Sequence, residues 1–146
     1  MNMAMKKQFI QTYANNYVET AVSEATPHKL VEMLYEGAIK NMSLAKVFIQ
    51  QKNMAKKSEH INKAMAIVNS LRAGLNLEKG AEVGNNLYAL YDYTYRRLFE
   101  ASSKNDIEVL DELIEHMKTL LEAWQQMPEH LKRMDRTQIE RLGVAS

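Results

Sequence analysis

Cysteine is absent from this 146-residue chain. Disulfides, thiol catalysis and zinc–thiolate sites are therefore excluded, and a reducing compartment suits the composition. Glycine and proline are scarce, with 5 and 2 copies. So few breakers, in a sequence rich in Leu, Met, Ala, Lys and Glu and poor in β-branched runs, point to an all-α protein. An excess of one charge is lacking too, the formal net charge being +1. No global field then argues for nucleic acid or for an anionic membrane surface. No window approaches the ~18 apolar residues of a membrane span. Met1 to Tyr17 holds no unbroken apolar run before a small-residue cleavage site, so no secretory signal is read and a cytoplasmic protein is expected.

What is present is an ordinary globular balance, 46% hydrophobic and 25% charged, in a length that fits one domain with one core. Thr26 before Pro27 predicts an N-cap and a first helical residue, with the helix running to about Gln51. Leu30, Leu34, Gly37, Asn41, Leu44 and Phe48 share one face of it, widened by Val31, Ala38, Met42, Ala45 and Ile49. Asn53 predicts the cap of a second helix to about Leu75, burying Ile61, Ala64, Met65, Val68, Leu71 and Leu75. Asn76 to Gly80 reads as a loop before a third helix, Ala81 to Ala101. After the loop "SSKND", Asn105 with Glu108 resembles a capping box, and a fourth helix runs from Asp106 to about Met127, ended by Pro128. Each helix is ~30 Å long, and short connections favour antiparallel neighbours. The expectation is an antiparallel up-down four-helix bundle over residues 1–128, with a short N-terminal helix, Ala4 to Val18. A charged tail, 129–146, holds a further short helix, Leu131 to Leu142.

Tyrosines are concentrated in "LYALYDYTYRRLFE", Leu87 to Glu100. On a helical wheel Leu87, Leu90, Tyr91, Thr94 and Leu98 form one stripe, enough to face a bundle interior. Tyr88, Tyr95 and Phe99 form a second stripe beside it, while Arg96, Arg97 and Glu100 hold the far side with Tyr93 at its margin. The arc exceeds the ~100° of an ordinary core-facing helix. The fourth helix has a seam of Ile107, Leu110, Ile114, Met117, Leu121 and Trp124, and a flank of Leu113, Leu120 and Met127. Extra stripes make grooves, and tyrosine with methionine, ten copies here, suits a groove for an amphipathic helix. The plainer alternative is that a helix touching two neighbours needs a wide arc, or that the N-terminal helix, with Ile10, Tyr13 and Tyr17 on one edge, covers it.

Catalytic and metal signatures are missing. The residues three before His28, His60, His116 and His130 are Ala25, Lys57, Leu113 and Met127, so no Glu-x-x-His pair occurs. No His-Glu-x-x-His, phosphate-cradling glycine loop or Gly-x-Ser-x-Gly elbow is found. Paired basic residues such as Lys56–Lys57 and Arg96–Arg97 are scattered and balanced by acids. Neither an enzyme, nor a metal or cofactor, nor a nucleic-acid partner is expected. Lys29, a cation in a helix's first turn, runs against the helix dipole.

"YVETAVSEATPHKLVEMLYEGAI", Tyr17 to Ile39, resembles the opening of the FliS family of flagellin-specific export chaperones. "INKAMAIVNSLRAGLNLEKGAEVGNNLYALYDYTYRRLFEA", Ile61 to Ala101, is similar to its second and third helices, and "LDELIEHMKTLLEAW", Leu110 to Trp124, to its fourth. The resemblance implies a helical bundle without catalytic activity whose client is the C-terminal segment of flagellin, disordered in the monomer and helical in the filament. It implies that the chaperone blocks premature assembly and presents the subunit to the flagellar type III export apparatus. With that client in view, Tyr88, Tyr95, Phe99, Leu113 and Leu120 are the expected contacts. The family's N-terminal segment implies self-cover here by Ile10 and Tyr13, with Tyr17 on the same edge. The same surface leaves room for a co-chaperone or another flagellar regulator, and for a homodimer formed through the grooves. Ala81 departs from a glycine common in the family at that junction.

Overall fold

The computed structural model describes residues 26–75 and 81–132, with side chains described for 26–75 and 84–130. Its elements are α1 (Pro27–Gln50), α2 (Met54–Ala73), α3 (Ala81–Lys104), α4 (Ile107–Gln125) and the single turn α5 (Glu129–Lys132). Among the described residues there is no strand. The expected N-terminal helix, and Ile10, Tyr13 and Tyr17 with it, lie outside the described residues. So does the greater part of the expected C-terminal helix.

The caps show why the helices begin and end where they do. Thr26 accepts a hydrogen bond from the Lys29 amide, with Pro27 in the first turn. Asn53 accepts from the Lys56 amide. Lys29 meets its dipole problem locally, pairing with Glu32 at 3.0 Å. At the end of α1 the Asn53 amide donates to Phe48 O at 2.9 Å and the Lys52 amide to Ile49 O at 3.1 Å. This is the double closure that needs a left-handed residue, and Lys52 takes it at φ 58°.

One expected cap is displaced. Asn105 does not start α4; it ends α3 at φ 53° while the Asp106 amide bonds back to Ala101 O. Asn tolerates that left-handed backbone better than most residues. The N-cap of α4 is Asp106, whose carboxylate accepts from the Val109 amide. The stretch read as a loop, Ser102 to Lys104, belongs to α3 instead.

Directions follow from contacts near the helix ends. His28, opening α1, touches Trp124, closing α4, and Lys46 near the end of α1 pairs with Asp111 near the start of α4. Lys57, opening α2, donates from Nζ to Ser102 O in the last turn of α3 at 2.8 Å. These pairs make α1/α4 and α2/α3 antiparallel. Packing runs α1 on α2 and α4, then α2 on α3, with α3 and α4 meeting least extensively. The expected all-α four-helix bundle is what forms.

The core is one cluster drawn from all four helices, including Leu34, Met42, Ile61, Leu98, Leu110 and Met117 at no exposure. Excluding water from apolar surface of this extent is the main stabilising contribution. At its centre Tyr35 of α1 and Tyr91 of α3 share a buried hydroxyl–hydroxyl hydrogen bond at 2.5 Å. Burial pushes both phenols above the ordinary tyrosine range, Tyr91 well above it. Removing one hydroxyl strands the other. Tyr91→Phe alone is expected to cost about 1–3 kcal/mol, and Tyr35→Phe with Tyr91→Phe less than the sum of the single changes. Denaturant titration of the single and double variants measures the coupling; additive losses would show that the hydroxyls do not depend on each other.

Candidate functional site

The extra stripe of α3 lies on the side toward α2. Tyr88 is 41% exposed and Phe99 66% exposed, the two most exposed aromatic side chains picked out among the described residues. Tyr95, between them on the helix, is half-buried and packs against the core. Arg72 reaches across from α2, its guanidinium 5.9 Å from the Tyr88 ring centroid and 5.0 Å from that of Tyr95. Two acceptors pin it there. Nη1 donates to Asp92 at 3.1 Å and Nη2 to Asn69 at 2.8 Å. Asp92 falls one turn after Tyr88 and also accepts from Arg96 Nε at 3.0 Å. Guanidinium against ring faces and a bidentate-capable cation on a carboxylate give a rigid polar–aromatic surface rather than loose side chains.

The other side of α3 faces α4 and is built differently. Tyr93 donates its hydroxyl to Glu112 Oε1 at 2.5 Å. That bond is the chief reason its phenol titrates above the ordinary range. The Tyr93 ring lies 6.3 Å from that of His116 and carries the Arg97 guanidinium over it at 6.0 Å. His116 Nδ1 and Arg97 Nε are buried without hydrogen-bond partners. This polar contact bridges the adjacent pair of long helices that meets least extensively.

At the α1/α4 end the packing is tight and reciprocal. His28 Nε2 donates to Trp124 O at 2.8 Å, and Trp124 Nε1 donates to His28 O at 2.9 Å. The rings stack at 4.8 Å. Trp124 also meets the edge of Tyr35. This clasp ties the start of α1 to the end of α4.

The five expected contact residues therefore divide. Tyr88, Tyr95 and Phe99 lie along one flank beside α2. Leu120 is half-buried on α4 and packs against the core. Leu113 is the correction: it is 0% exposed, sealed in the core cluster. Its heptad relation to Leu120 and Met127 put it on a flank beside the core-facing seam, but its side chain belongs to the core cluster with Leu110, Ile114 and Met117. The polar members of the α2–α3 flank, Arg72, Asn69 and Asp92, were not singled out from the sequence. The only signal available was Arg72 near the end of a helix whose other flank positions are Met65 and Asn69.

Among the described residues no cluster of His, Cys, Asp or Glu could hold a metal ion, and no helix is long and apolar enough to cross a membrane. The arrangement offers binding surface and rigid support.

Comparison with known proteins agrees with this. The pattern of the family described as Flagellar protein FliS matches residues 9–131. The flagellar secretion chaperone FliS of Salmonella typhimurium is 42% identical over 119 residues, which are 81% of this chain and 88% of the relative. The Vibrio cholerae flagellar secretion chaperone FliS is 39% identical over 119 residues, 82% and 88% of the two chains. That of Bacillus subtilis is 37% identical over 117 residues, 80% and 86% of the two chains. The match of the family pattern and sequence similarity along four-fifths of its length lead to one conclusion: the chain belongs to the FliS family of flagellar secretion chaperones.

Proposed function

We propose that this protein acts in the cytoplasm, without catalysis, as a chaperone for flagellin. It binds the disordered C-terminal segment of the subunit, prevents premature filament polymerisation and delivers the subunit to the flagellar type III export apparatus. The observation that carries the reading is the α3 flank, with Phe99 and Tyr88 exposed on a bundle whose core is otherwise closed. The contact set is Tyr88, Tyr95 and Phe99, extended by Leu120 on α4. A client segment that folds into helices on this surface loses chain entropy, so its gross contact energy exceeds the net by about 2–5 kcal/mol. Extended wrapping supplies that surface without a deep pocket.

Ile10, Tyr13 and Tyr17 complete the proposal as an apolar edge that occupies the site until the client arrives. Calorimetric titration with flagellin is the test. Heat of binding is expected with the whole subunit and none after its C-terminal segment is removed. Deleting residues 1–18 is expected to raise the affinity, since a competitor is gone. Binding that survives loss of the C-terminal segment would overturn the reading.

A further inference from the structure

The α2–α3 flank is not only apolar. Its charged groups are Lys57 and Arg72 from α2 and Asp92 and Arg96 from α3. Lys57 is buried, with Nζ held on Ser102 O in the last turn of α3. Arg72 and Arg96 share the single carboxylate of Asp92. Two guanidinium charges against one carboxylate leave an excess of one positive charge at the rim of the aromatic stripe. That excess is held in place on Arg72, whose side chain is only 22% exposed and is fixed by Asp92, Asn69 and two tyrosine rings. It is accessible on Arg96, whose side chain is 68% exposed. Glu100, one turn after Arg96, is engaged by Arg97.

We propose that this triad reads a carboxylate. It rests on the flagellin reading above and adds what the client must carry. A helix laid along Tyr88, Tyr95 and Phe99 covers about 16 Å, or three turns. Its apolar residues meet the rings, and an Asp or Glu at the edge of its apolar face meets Arg96 and the free edge of Arg72. Charge complementarity of this kind sets register and orientation more than raw affinity. Two arginines sharing one carboxylate next to an aromatic stripe also reject a helix that presents a cation there.

The probe is the flagellin C-terminal segment as a peptide, titrated into the full-length chain at low and high salt. Arg96→Glu is expected to weaken binding by roughly 3- to 10-fold at low salt, with Arg96→Gln in between, and the loss should shrink as salt screens the pair. Changing the client's acids to Lys one at a time should reveal one position at which Arg96→Glu binds better than the parent chain does. Arg96 is on the surface, so melting curves are expected to overlay and a folding defect is separable from a binding one. Phe99→Asp serves as the reference. If Phe99→Asp weakens binding while Arg96→Glu changes it by less than about twofold, the triad is a structural brace and this inference falls, though flagellin binding stands. If the peptide does not bind the parent chain, both fall.

Discussion

Leu113→Ala is expected to lower the free energy of unfolding by about 2–5 kcal/mol and to leave the affinity of the residual folded protein for flagellin unchanged. Leu113 has no exposed surface and packs among Leu110, Ile114 and Met117 neighbours of the same cluster. Truncation removes apolar contacts and leaves a cavity that rigid helices close only in part. Leu120→Ala, on the same helix flank two turns later, is the internal control. Leu120 is only partly buried against the core, so its loss should cost clearly less stability and a measurable part of the client affinity. Denaturant midpoints by far-UV circular dichroism, with calorimetric titration of each variant, separate the two residues. A Leu113→Ala protein as stable as the parent but weakened for its client would return Leu113 to the binding surface.

The contrast between these leucines marks where sequence periodicity stops being informative. A seven-residue repeat says that Leu113, Leu120 and Met127 share a flank. It does not say how deep a neighbouring helix lies over each of them. Depth varies along α4 because its partners do: α1 runs beside it from Asp111 to Trp124, whereas α3 meets it least extensively. The order and approximate limits of the four long helices were legible, because proline, asparagine and aspartate caps are local signals. Even there, Asp106 took the N-cap role expected of Asn105, which closes α3 instead, since an asparagine can both cap a start and close an end. The second stripe of α3 was legible as an excess of apolar arc, but not that Phe99 would be its most exposed member.

Long-range polar partners were not legible. Arg72 on Tyr88 and Tyr95, Lys57 on Ser102 and the reciprocal His28–Trp124 clasp join residues 16 to 96 positions apart. Each depends on the antiparallel register of two helices, which no single helical wheel contains. The consequence is functional. From periodicity, the α3 flank looks like a greasy strip open to any amphipathic helix. With Arg72, Asp92 and Arg96 in place it is a patterned surface, apolar along its length and cationic at one rim.

The substitution expected to damage client binding most is Phe99→Asp. Phe99 is 66% exposed, so the free protein loses little when the ring is removed, and its melting temperature should stay close to that of the parent. The complex loses much more. Covering a phenyl ring contributes about 1.5–3 kcal/mol of transfer free energy. A carboxylate in its place must be stripped of water against the client's apolar face, which adds a further penalty of about 1–3 kcal/mol. Together these correspond to an affinity loss on the order of 100-fold or more. Arg96, one turn earlier, can partner the new carboxylate and soften the loss, so Phe99→Ser is the companion: it removes the ring without offering Arg96 an ion pair. The two variants should rank by desolvation, with Asp the weaker binder. Near-parent affinity in both, measured by titration with the flagellin C-terminal segment, would mean that the client docks elsewhere. The seam between α3 and α4, where Tyr93 holds Glu112, would then be the next surface to test.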